Sequence, residues 1–477
     1  VTRPGHTLPA KIRYDRLGHV TAVAQPGRPY ANRVLDGAYR LIEIQAPPVD
    51  GVPSNTLFEY DPDSNRTAMT DPRGNRTTFA YDRQGRGLST TQPGGAFSAT
   101  RAFDVSGNLR KSTDFRGNAS AFAYDDLNRL TQQVLPGPPA RVANYDAYDA
   151  DGNLTQMSEL GDADSPTRVT RYRYDARGNR THVIRFGAGT PQAPHLATRD
   201  AYDAKDRLTQ SVLFSGVDPQ TGDGGAFVSG SGYAYDGRDR RTALTQAMSL
   251  PGGVPAGPTT LYGYAPGGNL RKTTDPDGVD SWTVYDASDR PILSLADDTR
   301  VLSFTQYTED DLVEKVWTPK PDLAAPILVP DQSAFGFNPA DHLRNQYRVY
   351  DDQQRIDQEI DADGHASGTE YDAAGNVLRA TDRRGYRKEW ALFDALNRPG
   401  KFREEYGPGL FYETVYQAYD ADSNLTHRLD PKGRLYVQQF DAAGRLIQLD
   451  YPQMGAVPRR EAYAYTALGD LKSQSHL

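Results

Sequence analysis

The sequence repeats itself about every 21 residues, and this constrains the fold more than any other feature. Short periodic units cannot bury an apolar face alone, so they stack into arrays. Aligned on Tyr-Asp, the anchors are Tyr14, Tyr60, Tyr81, Tyr124, Tyr148, Tyr174, Tyr202, Tyr235, Tyr264, Tyr285, Tyr307, Tyr350, Tyr371, Tyr419 and Tyr465. Phe103, Phe393 and Phe440 take the same place, and Leu35 opens a disguised copy. Nine of the eighteen gaps between these nineteen anchors are 21 or 22 residues. Phe337 is either a twentieth anchor or part of a turn inside the long 307–350 unit.

Each anchor begins the same turn. Asp follows it in sixteen of nineteen copies, and position four after the anchor is Gly nine times and Asn or Asp six times. Asp suits the first position of a type I turn, where its side chain accepts from backbone two residues on. Gly, and less readily Asn or Asp, takes the left-handed conformation that closes a three-residue hairpin loop with a bulge. Position five is usually Asn or Arg, and position six an aliphatic residue that starts the next strand.

A second turn lies halfway through the repeat, as in TDPRGN at 70–75, TDFRGN at 113–118, TDPDG at 274–278, DADG at 361–364, TDRRG at 381–385 and LDPKG at 429–433. Aromatic residues two apart, such as Phe79 and Tyr81 or Tyr172 and Tyr174, share one face of a strand. Each repeat therefore reads as two strands and two turns. Gly- and Pro-rich segments at 186–199, 214–232, 248–260 and 317–334 read as extended loops or lengthened hairpins, because the repeat resumes in register after each.

The expected fold is all-β: antiparallel hairpin repeats in one wide sheet. Residues 1–477 read as a single repeat segment with no separate catalytic or other domain visible. Roughly 38 strands at about 4.8 Å each make a sheet on the order of 180 Å wide. Such a sheet must curl, and closed once into a ring it would be roughly 55 Å across, too wide for side chains to fill. The expectation is a hollow spiral shell or part-cocoon of about one circuit. A hydrophobic content of 37% fits a thin core, while 29 Tyr and a net charge of −8 argue against disorder.

The absence of cysteine excludes disulfides and thiolate chemistry. No apolar run is long enough to span a bilayer, the first residues have no apolar signal region, and the acidic balance argues against a nucleic-acid partner. Position 1 is Val rather than Met, which reads as a processed or excised piece. The eight His form no metalloprotease spacing, and no nucleophile elbow or phosphate loop stands out. No enzymatic role and no cofactor are expected.

YDADGNLTQ at 148–156 also looks like a calcium loop, with Asp149, Asp151 and Asn153 as candidate ligands. The second acid recurs only as Asp63, Asp310 and Asp422, and Arg or Lys replaces it elsewhere, as at Arg177, Lys205 and Arg238. A turn without an ion is the favoured reading. The aromatic stripe reads as cross-strand packing, with sugar stacking as the alternative.

YDADGNL, YDAAGNV, YDARGNR, FDAAGRL and TDPRGN resemble the YD repeats of the Rhs family, which includes the B and C subunits of insecticidal toxin complexes and the teneurins. The resemblance covers nearly the whole chain. It implies a sheet spiralling into a cocoon that encloses a C-terminal toxin until a bacterial secretion system delivers it outside the cell. The implied partners are that toxin domain or a remaining shell subunit, in cis or in trans. The family's terminal core motif and its self-cleaving aspartates have no counterpart after residue 440, so none is carried over. The alternative function is an extracellular carbohydrate-binding or adhesion repeat protein, with a glycan as partner.

Overall fold

The computed structural model describes residues 11–25, 28–186, 195–296, 300–319, 342–452 and 459–476. The chain is all-β. Among the described residues thirty-eight antiparallel strands, from Lys11–Tyr14 to Leu471–His476, form a single sheet that is not closed. Consecutive strands pair with each other, as Arg141–Tyr148 does with Leu154–Glu159. One short 3-10 turn, Pro251–Gly253, is the only helical element among the described residues, so no helix there is long and apolar enough to cross a membrane.

The hairpin turns take the predicted form. The Gly152 amide donates to the Asp149 carbonyl at 3.1 Å and the Asp149 amide to the Asn153 carbonyl at 3.0 Å, and the register slips between Ala147 and Tyr148. All nineteen residues at position four have positive φ, including Tyr39 (62°), Ser64 (68°), Gln354 (67°) and Ser423 (71°), whose side chains do not favour it. The paired strands and the Asp cap outweigh the local preference there. Phe393 departs from the pattern: its strand ends at Ala391, two residues earlier, and Leu392 has φ 58°.

By contact density the chain divides into two compact units, each discontinuous in sequence. One comprises Val1–Thr100, Asp114–Gly117 and Trp282–Gln438, the other Arg101–Thr113, Asn118–Ser281 and Gln439–Leu477. Both are made of the same repeats. Within the first unit, turns far apart in sequence meet: Ser54 Oγ donates to the Ala373 carbonyl at 2.6 Å, 319 residues on. Gln92 Nε2 likewise donates to the Ala421 carbonyl, 329 residues on. Within the second unit, the Ala467 amide donates to Asp162 across 305 residues. Fifteen of the YD turns carry a bulge, which sharpens local twist beyond that of a regular sheet, whereas the hairpin around Phe393 carries none.

The core is thin and local. Ile184 is the largest fully buried side chain among the described residues. In the second unit it clusters with Ala197, Val212, Phe214 and Val217. Val217 comes from the 214–232 insertion, a lengthened hairpin whose strands are Leu208–Ser215 and Ala226–Tyr235. Its loop is pinned by Arg171 on the Pro219 carbonyl and Arg173 on the Thr221 carbonyl. In the first unit Val284, Leu293 and Leu295 make a second cluster. The 248–260 segment holds the 3-10 turn and a bridge between Ser249 and Ala256. Residues 187–194, most of 317–334, and Phe337 lie outside the described residues.

Candidate functional site

The chemistry of this chain is concentrated in the YD turns. Asp149 shows what the recurrent acid does. One carboxylate oxygen accepts from the amides of Asp151 (3.0 Å) and Asn153 (2.8 Å), and the other from Asn153 Nδ2 (3.1 Å). These donors stabilise the ionised form and hold the carboxyl below the ordinary aspartate value, the Asn153 side chain contributing most. Asp151 is exposed, and its carboxylate takes no part in the turn. Both Asp149 oxygens and the Asn153 side chain are thus engaged in closing the turn.

Where position five is Arg, the same bond becomes an ion pair that reaches the next repeat. Arg129 Nε lies 2.7 Å from Asp125, and its guanidinium covers the ring of Tyr148 at 4.6 Å. Arg40 over Tyr60, Arg207 over Tyr235, Arg240 over Tyr264, Arg290 over Tyr307, Arg355 over Tyr371, Arg398 over Tyr419 and Arg445 over Tyr465 repeat the stack. Arg207 presses Asp203 down to about 2, chiefly through its side-chain hydrogen bond. At three of the copies with Asn in position five its amide bridges to the next turn instead: Asn179 Nδ2 donates to Asp175 at 3.1 Å and to Asp206 at 2.8 Å, and Asn108 and Asn376 likewise reach Asn128 and Asn397.

The anchor rings complete the link. The hydroxyls of Tyr60, Tyr81, Tyr148, Tyr174, Tyr202 and Tyr235 donate to the carbonyls of Leu41, Arg66, Leu130, Leu154, Arg180 and Leu208. Tyr264, Tyr307, Tyr350, Tyr371, Tyr419 and Tyr465 do the same to Arg241, Pro291, Val313, Ile356, Pro399 and Leu446. Each acceptor is the residue six after the preceding anchor. Burial raises the phenol pKa of Tyr148, Tyr174 and Tyr202, which keeps the donating form. Tyr14, Tyr124 and Tyr285 also end strands, as do Phe103 and Phe440, which have no hydroxyl to give.

Other groups were not singled out by sequence. Asp361, Asp363 and His365 bring one ligand atom each within 4.8 Å of one another on a mid-repeat turn, two of them exposed. A pocket of about 310 Å³ lies beside Tyr386, Arg387, Lys388, Glu404 and Glu405. Glu405 is held down to about 2, first by Arg387 and then by the Gly409 amide. Tyr406 and Tyr412 stack at 4.1 Å and are both half exposed. The cross-strand placement of these groups follows from hairpin register rather than from any motif.

Comparisons with known proteins agree with this geometry. Residues 2–186 match the family model described as Teneurin YD-shell, and residues 419–453 match RHS Repeat. No curated protein matches by sequence. Among solved structures, a Photorhabdus luminescens Tc holotoxin pore superimposes with a TM-score of 0.63 at 12% identity, covering 96% of this chain and 25% of that one. The crystal structure of TcdB2-TccC3-TEV gives 0.59 at 12% identity, with 96% and 27% covered. TcdB2-TccC3 without its hypervariable C-terminal region gives 0.50 at 13% identity, with 98% and 27% covered. The chain thus spans about a quarter of the length of these solved chains, and the likeness is one of fold. The Tyr-Asp turn runs in register through both matched segments and the stretch between them, so the chain is similar to the teneurin YD-shell over residues 2–186 and to the RHS repeat over 419–453.

Proposed function

We propose that this chain is a wall segment of the encapsulating shell of a secreted Rhs-type toxin. It encloses a toxic cargo C-terminal to it until delivery from a bacterial cell, with the cargo or a remaining shell subunit as its partner. The observation that carries this reading is the link from one repeat to the one before it, made by a Tyr hydroxyl at twelve of the anchors. Backbone ladder, Tyr hydroxyl and Arg stack together make a continuous wall out of units that have almost no core of their own. Its polar groups are spent on turns and seams, so the role is structural rather than catalytic, and residues 1–477 act as one repeat array. The toxin assemblies it superimposes on support the same role.

A protease-sensitive reporter fused after Leu477 tests this. Expected is a reporter that resists protease while the shell is folded and is digested once the shell is denatured. Digestion at the rate of the free reporter overturns the reading. A carbohydrate-binding role is supported by the exposed stack of Tyr406 and Tyr412, whereas Arg covers eight of the Tyr anchor rings. A glycan array that loses its signal on Tyr406→Ala favours that role.

A further inference from the structure

The third position after the anchor is acidic only at Asp63, Asp151, Asp310 and Asp422. In the first unit two of these are engaged by bases from much earlier turns. Arg28 Nε lies 2.9 Å from Asp310, 282 residues on, and Arg116 Nε lies 2.5 Å from Asp422, 306 residues on. Arg116 occupies the third position of a mid-repeat turn. Arg73, at the same position of another, donates to the carbonyls of Phe393 and Asp394 and to Asn397 Oδ1 at 2.7 Å. Asn397 answers by donating to Asp71 at 3.0 Å. A seam in this unit is therefore a base on a mid-repeat turn meeting an acid or amide on a YD turn.

The same unit carries both halves of this latch unused. Asp63 stands where Asp422 does, and Arg384 and Lys432 stand where Arg73 and Arg116 do. All three are exposed, and none has a side-chain hydrogen bond or ion pair among the described residues. In the second unit Asp151 stands at the same turn position and is equally exposed and unpaired.

We propose that these are the open halves of the seam latch, and that they join one copy of the chain to a second, head to tail. Arg384 or Lys432 of one copy would take Asp63 of the other as Arg116 takes Asp422. A second copy fits because the two halves are opposite in charge, lie on the two kinds of turn that already pair in this unit, and are both present on one chain. Such an interface is heterologous, so copies add head to tail, into a ring where the rotation between them closes and into a filament where it does not. It does not depend on the enclosing role, which the reporter experiment tests separately.

Sedimentation velocity over a range of concentrations tests the proposal. The wild-type chain is expected to associate, with affinity falling as salt screens the pairs. Asp63→Lys, and separately the pair Arg384→Glu with Lys432→Glu, should each weaken self-association by about tenfold or more. Mixing the two variants sets native charges against native ones at one contact and reversed against reversed at the next, so it should restore association toward the wild-type level. That complementation also shows that both variants fold. A chain that stays monomeric overturns the proposal. So does association that neither variant changes, or a mixture that fails to pair, or latch-dependent binding only to a YD-repeat strip of another protein.

Discussion

The Tyr148 hydroxyl donates to the carbonyl of Leu130 at 2.6 Å, the first strand residue after the previous YD turn. One side chain thereby fastens a repeat to its predecessor. Tyr148→Phe keeps the ring and its Arg129 stack but leaves that carbonyl without this donor, which should cost about 1 kcal/mol. Tyr124 has no such bond among the described residues and serves as the control. Urea denaturation followed by circular dichroism should show Tyr124→Phe within about 0.5 kcal/mol of wild type. Equal losses from both substitutions would remove the bond as the explanation.

Gly152 has φ 85°, and a Cβ built there meets no atom within 4 Å. Gly152→Ala thus isolates backbone strain from crowding, and a loss of roughly 1–2 kcal/mol is expected. Hydrogen exchange should place the loosening in the strands Arg141–Tyr148 and Leu154–Glu159 that this turn joins. An unchanged stability would mean that the turn relaxes to another form.

What was legible in the sequence was local. Asp149, Gly152 and Leu154 sit within one turn, so their spacing alone gives the hairpin, its bulge and the strand that follows. Tyr39 and Gln354 adopt the same φ without any local preference for it, because paired strands on both sides impose it. Position five was visible as Asn or Arg, yet its stack on the following Tyr needs the neighbouring repeat in place. The pairing of Arg73 with Asn397 spans 324 residues and depends on how fast the sheet curls, which no turn motif encodes. Phe393 read as an ordinary anchor, although its strand stops short of it.

The calcium reading of Asp149, Asp151 and Asn153 makes a distinct prediction. Asp149 closes the turn with both oxygens, whereas the Asp151 side chain closes nothing. Asp149→Ala should therefore destabilise the chain clearly more than Asp151→Ala. Neither calcium nor a chelator should shift the melting temperature. A calcium-dependent rise in melting temperature that Asp151→Ala abolishes would establish an ion at this turn.

The turn acids also set a response to pH. Asp203 and Asp430 are held from 3.8 down to about 2, in each case first by the side-chain hydrogen bond of an Arg, Arg207 and Arg434. A carboxyl depressed by folding adds stability that is present above its unfolded value and lost as pH falls through the folded one. The chain should thus lose stability on acidification from about pH 4 toward pH 2. Asp203→Asn should flatten that dependence while lowering stability at neutral pH. A chain equally stable at pH 2 and pH 7 would show that these pairs contribute nothing.

The seam in the first unit yields the last prediction. Arg116 and Asp422 are 15% and 25% exposed, so their ion pair at 2.5 Å is screened less than a surface pair. Arg116 also approaches Asp420 at 3.3 Å, and Asp420 closes its own turn through Asn424. Arg116→Ala removes both contacts, while Asp422→Ala removes one and leaves the turn intact. A double-mutant cycle on Arg116 and Asp422 should therefore give a coupling on the order of 1 kcal/mol. Arg116→Ala alone should cost more than Asp422→Ala alone. Strictly additive effects would mean that the seam is held by other contacts such as the bond from Ser54 Oγ to the Ala373 carbonyl, with the ion pair a bystander.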